Sequence, residues 1–154
     1  KDAIQQLHTW NNIDYWNLSF TDAHDLTQAR DSSLNCSIKA SLAIRLNSSK
    51  TFVLIVGNNT KEARSGSCRY CNSYNSYTSS CAKRYSVDHR SYIEYECDKA
   101  LKDGLKIVVL YNAASVNKSK CPDSVRYTGT HTAMCYYSNG TYYWDYSAVK
   151  TALG

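Results

Sequence analysis

Glu96 is the residue whose type and position most suggest chemistry, and it lies on a stretch, 91–102, with helical periodicity. On a helical wheel of about 100° per residue with Ile93 at its origin, the predicted buried stripe contains Ile93, Cys97, Ala100 and Leu101. Glu96 lies at the rim of this stripe, and Tyr92 lies beyond it on the same side. A carboxylate beside an aromatic ring at the edge of a core suits the wall of a pocket. The alternative is a solvated boundary residue, as most helical glutamates are.

The Cys-, Ser- and Tyr-rich stretch 65–87 and its C-terminal flank hold a second set of reactive side chains. Cys68 and Cys71 form a Cys-x-x-Cys pair, Cys81 follows, and His89 lies beyond. Three thiolates and one imidazole would bind zinc tetrahedrally. A local disulfide is a further alternative, and free thiols in a polar loop are favoured because a second Cys-x-x-Cys pair is absent. No firm metal site is therefore predicted.

The remaining histidines and cysteines are mostly interpreted as structural residues. His24, in the polar stretch 21–31, and His131 are of the type that serves as a base or ligand. His131 and His8 are predicted to be structural or surface residues. The cysteines outside the stretch 65–87 are predicted to act as small buried hydrophobic residues, and they are Cys36, Cys97, Cys121 and Cys135.

The elements that would position these residues alternate between strand and helix periods. Helices are predicted over 3–10, after the candidate caps Ser32 and Ser33, and over 91–102. Strands are predicted over 15–20, 51–56 and 107–110, with 51–56 buried on both faces. This order implies right-handed crossovers and a parallel sheet with helices on both faces. Because a helix comes first, the first strand of such a sheet is apparently absent from the chain as given.

The C-terminal part has clear turn and cap signals. Asn139-Gly140, between the apolar runs 133–137 and 141–144, predicts a β-hairpin. Asp145 is a candidate cap for a last short helix over 147–153. The segment 112–130 has no periodicity and is predicted to be loop.

Composition restricts the class of protein. The chain has 154 residues, 43% of them hydrophobic, and a net charge of +5, which suits one globular domain. The weak basic excess and the lack of long basic or apolar runs disfavour nucleic-acid binding and membrane insertion. Seven cysteines and six Asn-x-Ser/Thr sequons are extracellular features. They are discounted because the cysteine count is odd and no signal peptide opens the sequence, so a cytoplasmic location is expected.

Two regions of the sequence resemble a known family. Residues 92–109 follow the third-helix-to-fourth-strand pattern of TIR domains, in which an aromatic residue, a Glu, an Ala-Leu pair and a Gly precede an apolar strand. Residues 13–26, with Asp-Ala-His-Asp-Leu at 22–26, together with Arg30-Asp31 and 52–61, are similar to the TIR-like family that includes ThsB of the bacterial Thoeris anti-phage system. The resemblance covers about residues 1–64 and 88–112.

The resemblance implies an α/β, flavodoxin-like, three-layer fold with a central parallel sheet, formed by a single TIR-like domain over 1–154 with an insertion at about 65–87. It also implies cleavage of NAD. In the family, the glutamate matching Glu96 is catalytic and the aromatic residue matching Tyr92 lies beside the nicotinamide ribose. The loop at the edge of the site supplies candidate substrate-binding residues, Asp22, His24, Asp25 and Arg30.

A single carboxylate is compatible with this chemistry. Nicotinamide leaves NAD as a neutral molecule, so the general acid that glycosidases need is not required. One carboxylate can orient the ribose and stabilise an oxocarbenium-like transition state. No cofactor is expected beyond NAD as substrate. The resemblance implies a cyclic ADP-ribose-type messenger that acts on a ThsA-type effector, a homo-oligomer, and activation by phage infection with a phage protein as a candidate trigger.

Two other classes of function remain open. One is a TIR scaffold that only binds other TIR domains, which the presence of Glu96 disfavours. The other is a flavodoxin-like module that binds a nucleotide or flavin, which is disfavoured because no Gly-rich or Ser/Thr-rich phosphate loop is found.

Overall fold

The computed structural model describes residues 2–12, 39, 42–44, 46–62 and 90–154. In chain order the elements are α1 (Ala3–Asn12), β1 (Thr51–Val56), α2 (Tyr92–Lys102), β2 (Lys106–Tyr111), β3 (Thr130–Ala133), β4 (Cys135–Ser138), β5 (Thr141–Trp144) and α3 (Tyr146–Leu153). Residues 39, 42–44 and 46–47 are also helical. The chain divides into two compact units, one of residues 1–21, 51–61 and 106–154, and one of residues 22–50 and 62–105.

A parallel sheet in the order β1-β2-β3 organises the first unit. The central strand β2 is buried from Ile107 to Tyr111, as expected for a strand covered on both faces. The prediction of full burial is wrong for β1, because Val53 is 37% exposed. This strand lies at an edge of the described sheet, where neighbouring elements cover its side chains less completely.

The third strand lies in a segment whose start was predicted to be loop. Ala133 ends β3 and does not begin the hairpin, and the fully buried Met134 separates β3 from β4. Gly129 has φ +78°, and a Cβ there would lie 2.3 Å from the carbonyl oxygen of Ile107. The backbone at residue 129 therefore lies so close to β2 that only glycine fits there.

The hairpin and the last helix confirm their sequence signals. β4 and β5 pair antiparallel around Asn139 and Gly140, which both have positive φ angles, 49° and 80°. These angles suit the two-residue turn that Asn-Gly favours. The Asp145 carboxylate accepts a hydrogen bond of 3.0 Å from the backbone N–H of Ala148 and so caps α3.

Helices α1 and α3 contribute to one hydrophobic core with β2. Its buried members are Ala3, Leu7, Trp10, Val108, Leu110, Met134, Cys135, Val149 and Ala152. The buried stripe of α1 follows i, i+4, i+7 spacing from Ala3. Ile4 lies off this stripe and is 56% exposed.

In the second unit, two lysines connect α2 with the helical residues at 39–47. The ammonium of Lys39 donates to the backbone carbonyl of Arg90, just before α2. The ammonium of Lys99 donates to the side-chain carbonyl of Asn47 over 2.8 Å. Contacts of residue 39 with residue 90 and of residue 47 with residue 99 indicate that the two helical segments run side by side in the same direction.

The architecture is α/β, a three-stranded parallel sheet with helices, consistent with the flavodoxin-like fold that the resemblance implies. The strand predicted at 15–20, the cap candidates Ser32 and Ser33, and the insertion at 65–87 lie outside the described residues. A single domain over 1–154 stays a prediction. Among the described helices, none has the length and hydrophobicity needed to cross a bilayer.

Candidate functional site

A reciprocal cap sets the start of α2. The Ser91 hydroxyl accepts a hydrogen bond from the backbone N–H of Glu94, and the Glu94 carboxylate accepts one from the backbone N–H of Ser91, both over 3.1 Å. Such a capping box satisfies donors that would otherwise be left unpaired at a helix start. It makes Tyr92 the first helical residue and places Glu96 one turn later on the same face.

Glu96 is buried, with only 7% of its surface exposed. Cys97 and Ala100 are completely buried, whereas Ile93 and Leu101 are only partly so. The buried face of α2 is therefore rotated from the predicted stripe toward Glu96, which lies within that face and not at its rim. A carboxylate is costly to remove from water, and glutamates are seldom buried without partners or a task. This placement disagrees with the interpretation of Glu96 as a solvated boundary residue.

Positively charged groups gather beside the first turns of α2. Arg90 forms an ion pair of 2.9 Å with Asp98, and its guanidinium lies 5.0 Å from the ring centroid of Tyr95. The ammonium of Lys39 lies 5.9 Å from the same centroid. Lys39 is only 3% exposed and is not among the residues that the sequence analysis singled out. The sequence does contain a signal for the burial of Lys39, because this residue has i, i+3, i+7 spacing with the buried Leu42 and Leu46.

The structure places two of the predicted site residues, Glu96 and the half-buried Tyr92, on the same helix. The other candidate substrate-binding residues lie outside the described residues, and they are Asp22, His24, Asp25 and Arg30. The zinc candidates also lie outside them, and they are Cys68, Cys71, Cys81 and His89. Within the described ranges, no group of three His, Cys, Asp or Glu residues is arranged to hold a metal ion.

In the first unit, a cleft of about 90 Å³ opens at the carboxyl ends of β1 and β2. Its lining includes Asn58, Asn112 and Lys120, and the Lys120 ammonium donates to the Asn58 side chain over 2.7 Å. This edge of a parallel sheet is where α/β proteins commonly bind ligands. The volume suits a few water molecules or a small polar group, because pockets that enclose drug-sized ligands have about 300 Å³ or more.

A buried hydrogen-bonded chain holds the loop that follows β2. Two backbone carbonyls, of Val125 and Thr128, lie 3.1 and 3.0 Å from Nε2 of His131, so Nε2 carries the hydrogen. Nδ1 lies 2.7 Å from the Tyr111 hydroxyl and shares a hydrogen bond with it. The same hydroxyl hydrogen-bonds the buried Cys121 side chain. His131 therefore has a structural role, as predicted.

Burial raises the pKa of the Cys121 thiol above its ordinary value of 9.0, and the Tyr111 hydrogen bond and the charge of Arg126 only partly oppose this. Above about pH 9 the thiol of the unfolded chain loses its proton more readily than the buried thiol of the folded chain. The stabilisation that the buried Cys121 side chain gives the fold is therefore complete below pH 9 and is lost as the pH rises. We expect the difference in unfolding free energy between wild type and Cys121→Ala to shrink as the pH rises above 9, by at most about 1.4 kcal/mol per pH unit. Urea unfolding from pH 7 to 10.5 measures it, and a constant difference would contradict the assignment.

The N-terminal part of the chain matches a family of known proteins. Residues 1–65 match the family model described as Thoeris protein ThsB, TIR-like domain. A search of curated proteins finds no match. The resemblance seen in the sequence is thereby confirmed over the N-terminal part of the chain. Glu96 lies outside the matched range, so its assignment depends on the pattern of residues 92–109 and on its burial.

Proposed function

We propose that this chain cleaves the nicotinamide glycosidic bond of NAD. The premise is a TIR-like domain of the Thoeris ThsB family, which the match over residues 1–65 supports. The observation that carries the proposal is the burial of Glu96 in the second turn of a capped helix. A charged group held away from water retains strong interactions with a developing positive charge.

In this reaction, the bond from the anomeric carbon of the ribose to the nicotinamide nitrogen breaks, and both electrons go to the nitrogen. Nicotinamide leaves neutral, and positive charge develops on the ribose. Glu96 accepts hydrogen bonds from the ribose hydroxyls and stabilises that charge. Tyr92, one turn earlier on the same face, packs beside the nicotinamide ribose and limits its orientation.

A cyclic product forms when a nucleophile of the bound ADP-ribose attacks the anomeric carbon before water does. Holding both groups in one site favours this route through effective molarity and exclusion of water. We propose that the product is a cyclic ADP-ribose-type messenger, made in the cytoplasm after phage infection, that activates a ThsA-type effector. A homo-oligomer and a phage protein as the trigger belong to the same proposal.

A non-catalytic scaffold is the second candidate, and one observation favours it. The hairpin formed by β4 and β5 exposes about half of each of its four tyrosines, Tyr136, Tyr137, Tyr142 and Tyr143. Tyr136 stacks on Tyr143 with a centroid distance of 5.4 Å, and Tyr137 meets Tyr142 edge-on at 4.9 Å. Exposed tyrosines are enriched at protein–protein interfaces.

Incubation with NAD followed by chromatography distinguishes these candidates. We expect release of nicotinamide in equal amount to a cyclic ADP-ribose isomer. Nicotinamide with linear ADP-ribose would show hydrolysis without cyclisation. Intact NAD, both with the purified protein and in lysate of phage-infected cells that express it, would leave the scaffold as the better candidate.

A further inference from the structure

Lys39 is a buried lysine that the proposed reaction does not use. Only 3% of its surface is exposed, and lysines are seldom buried unless their charge has partners. Its spacing with Leu42 and Leu46 would suit an apolar residue. The charge is therefore retained at a position where Leu or Met would be cheaper to bury.

Two contacts of Lys39 lie at the start of α2. Its ammonium donates to the carbonyl of Arg90, the residue before the cap Ser91, and lies near the face of the Tyr95 ring. The first backbone hydrogen bond of the helix, from the N–H of Tyr95 to the carbonyl of Ser91, measures 2.9 Å. Lys39 thus bonds the residue that precedes the cap and lies against the ring of the residue that donates this first bond, from a segment more than fifty residues away in sequence.

Attraction to the helix dipole does not explain this cation, because the positive end of the dipole disfavours cations. The carboxylates of Asp98 and Glu94 on α2 are engaged by other groups, since Asp98 pairs with Arg90 and Glu94 belongs to the cap. The hydrogen bond from Lys39 to the Arg90 carbonyl instead restrains the first turn of α2, because helix ends otherwise fray. Tyr92 is the first residue of that turn, and Glu96 lies about 8 Å from Ser91 along the helix axis.

We propose that Lys39 is a positioning residue that fixes the first turn of α2 and thereby aims the Glu96 carboxylate. Its catalytic importance rests on the proposed function, whereas the restraint itself is independent of it. Small displacements of a catalytic group are costly, since a misplacement of about 1 Å can lower a rate a hundredfold.

Lys99 provides a matched control on the same helix. Its ammonium bonds the side chain of Asn47 over 2.8 Å and that of Asp103 over 2.7 Å, at the opposite end of α2. Lys39 and Lys99 therefore both connect α2 to the same neighbouring segment. Only Lys39 does so beside Tyr92 and the first turn.

The experiment compares Lys39→Met, Lys39→Arg and Lys99→Met by amide hydrogen exchange and NAD kinetics. In Lys39→Met we expect the Tyr95 amide to exchange at least about tenfold faster and kcat to fall by about tenfold to a hundredfold, with KM changed less than about threefold. Lys39→Arg restores kcat because its guanidinium can donate to the Arg90 carbonyl and stack on Tyr95. Lys99→Met leaves both measurements near wild type.

Unchanged exchange at Tyr95 in Lys39→Met would overturn the proposal, as would a loss confined to KM or an equal kcat loss in Lys99→Met. If Lys39→Met does not fold, Lys39→Gln, which keeps a neutral donor on a shorter stem, takes its place with the same expected losses. A wild-type protein without NAD cleavage would contradict the proposed function, and the exchange measurement would then decide the role of Lys39 by itself.

Discussion

Glu96→Gln is expected to lower the rate of NAD cleavage by about a thousandfold while the protein stays folded. Glutamine has nearly the same shape and can still accept hydrogen bonds from ribose hydroxyls. It carries no negative charge, however, and so cannot stabilise a ribose that becomes positively charged in the transition state. Because Glu96 is buried, little water is available to take over that role. Initial rates of nicotinamide release, with circular dichroism to verify folding, measure the effect.

Glu94→Gln is the matched control for this prediction. It removes the same charge from the same helix two residues away, and glutamine still serves in a capping box. We expect its rate to stay within about twofold of wild type, a small change in free energy. Comparable NAD cleavage by wild type and Glu96→Gln would remove Glu96 from the mechanism. Equal losses of NAD cleavage in Glu96→Gln and Glu94→Gln would show that the rate depends on the total charge of the helix and not on Glu96 in particular.

Trp10→Ala is expected to lower the free energy of unfolding by about 3 to 5 kcal/mol, the typical cost of removing a large aromatic side chain from a core. Trp10 is only 2% exposed and lies edge-on to two other rings, with centroids 6.3 Å from Trp144 and 5.4 Å from Tyr146. Its loss leaves a cavity between α1 and the C-terminal elements. Urea unfolding followed by far-UV circular dichroism measures the change.

Ile4→Ala, on the same helix, controls for the loss of apolar volume as such. Ile4 is largely exposed, so we expect a change of no more than about 0.5 kcal/mol. If Trp10→Ala also cost less than about 1 kcal/mol, α1 could not be an integral part of the core. The comparison therefore tests whether the N-terminal helix is essential to the first unit.

Local signals in the sequence identified several elements correctly because their chemistry involves residues close together in the chain. The Asn139-Gly140 turn and the Asp145 cap depend on contacts within four residues, and both occur as predicted. The apolar runs that form β1 and β2 were also recognisable, since a continuous apolar segment of this length is typical of strands in parallel sheets.

The strand β3 was not recognisable, because Thr130 to Ala133 carries no apolar period. It exists through its ladder with β2 and through Gly129, whose missing Cβ permits the close approach to Ile107. The hydrogen-bond partner of Lys39 was hidden for a related reason. Its ammonium is satisfied by a carbonyl fifty-one positions away, a partner that no local pattern reveals.

By itself the sequence determined the class of fold, the family resemblance and the helix that carries Glu96, because periodicity, caps and turns are properties of neighbouring residues. Only the tertiary structure decided which face of that helix is buried, and hence that Glu96 lies inside it and Leu101 only partly so. The physical reason is that a helical wheel ranks residues by hydrophobicity, whereas burial is decided by the side chains that distant segments bring against them.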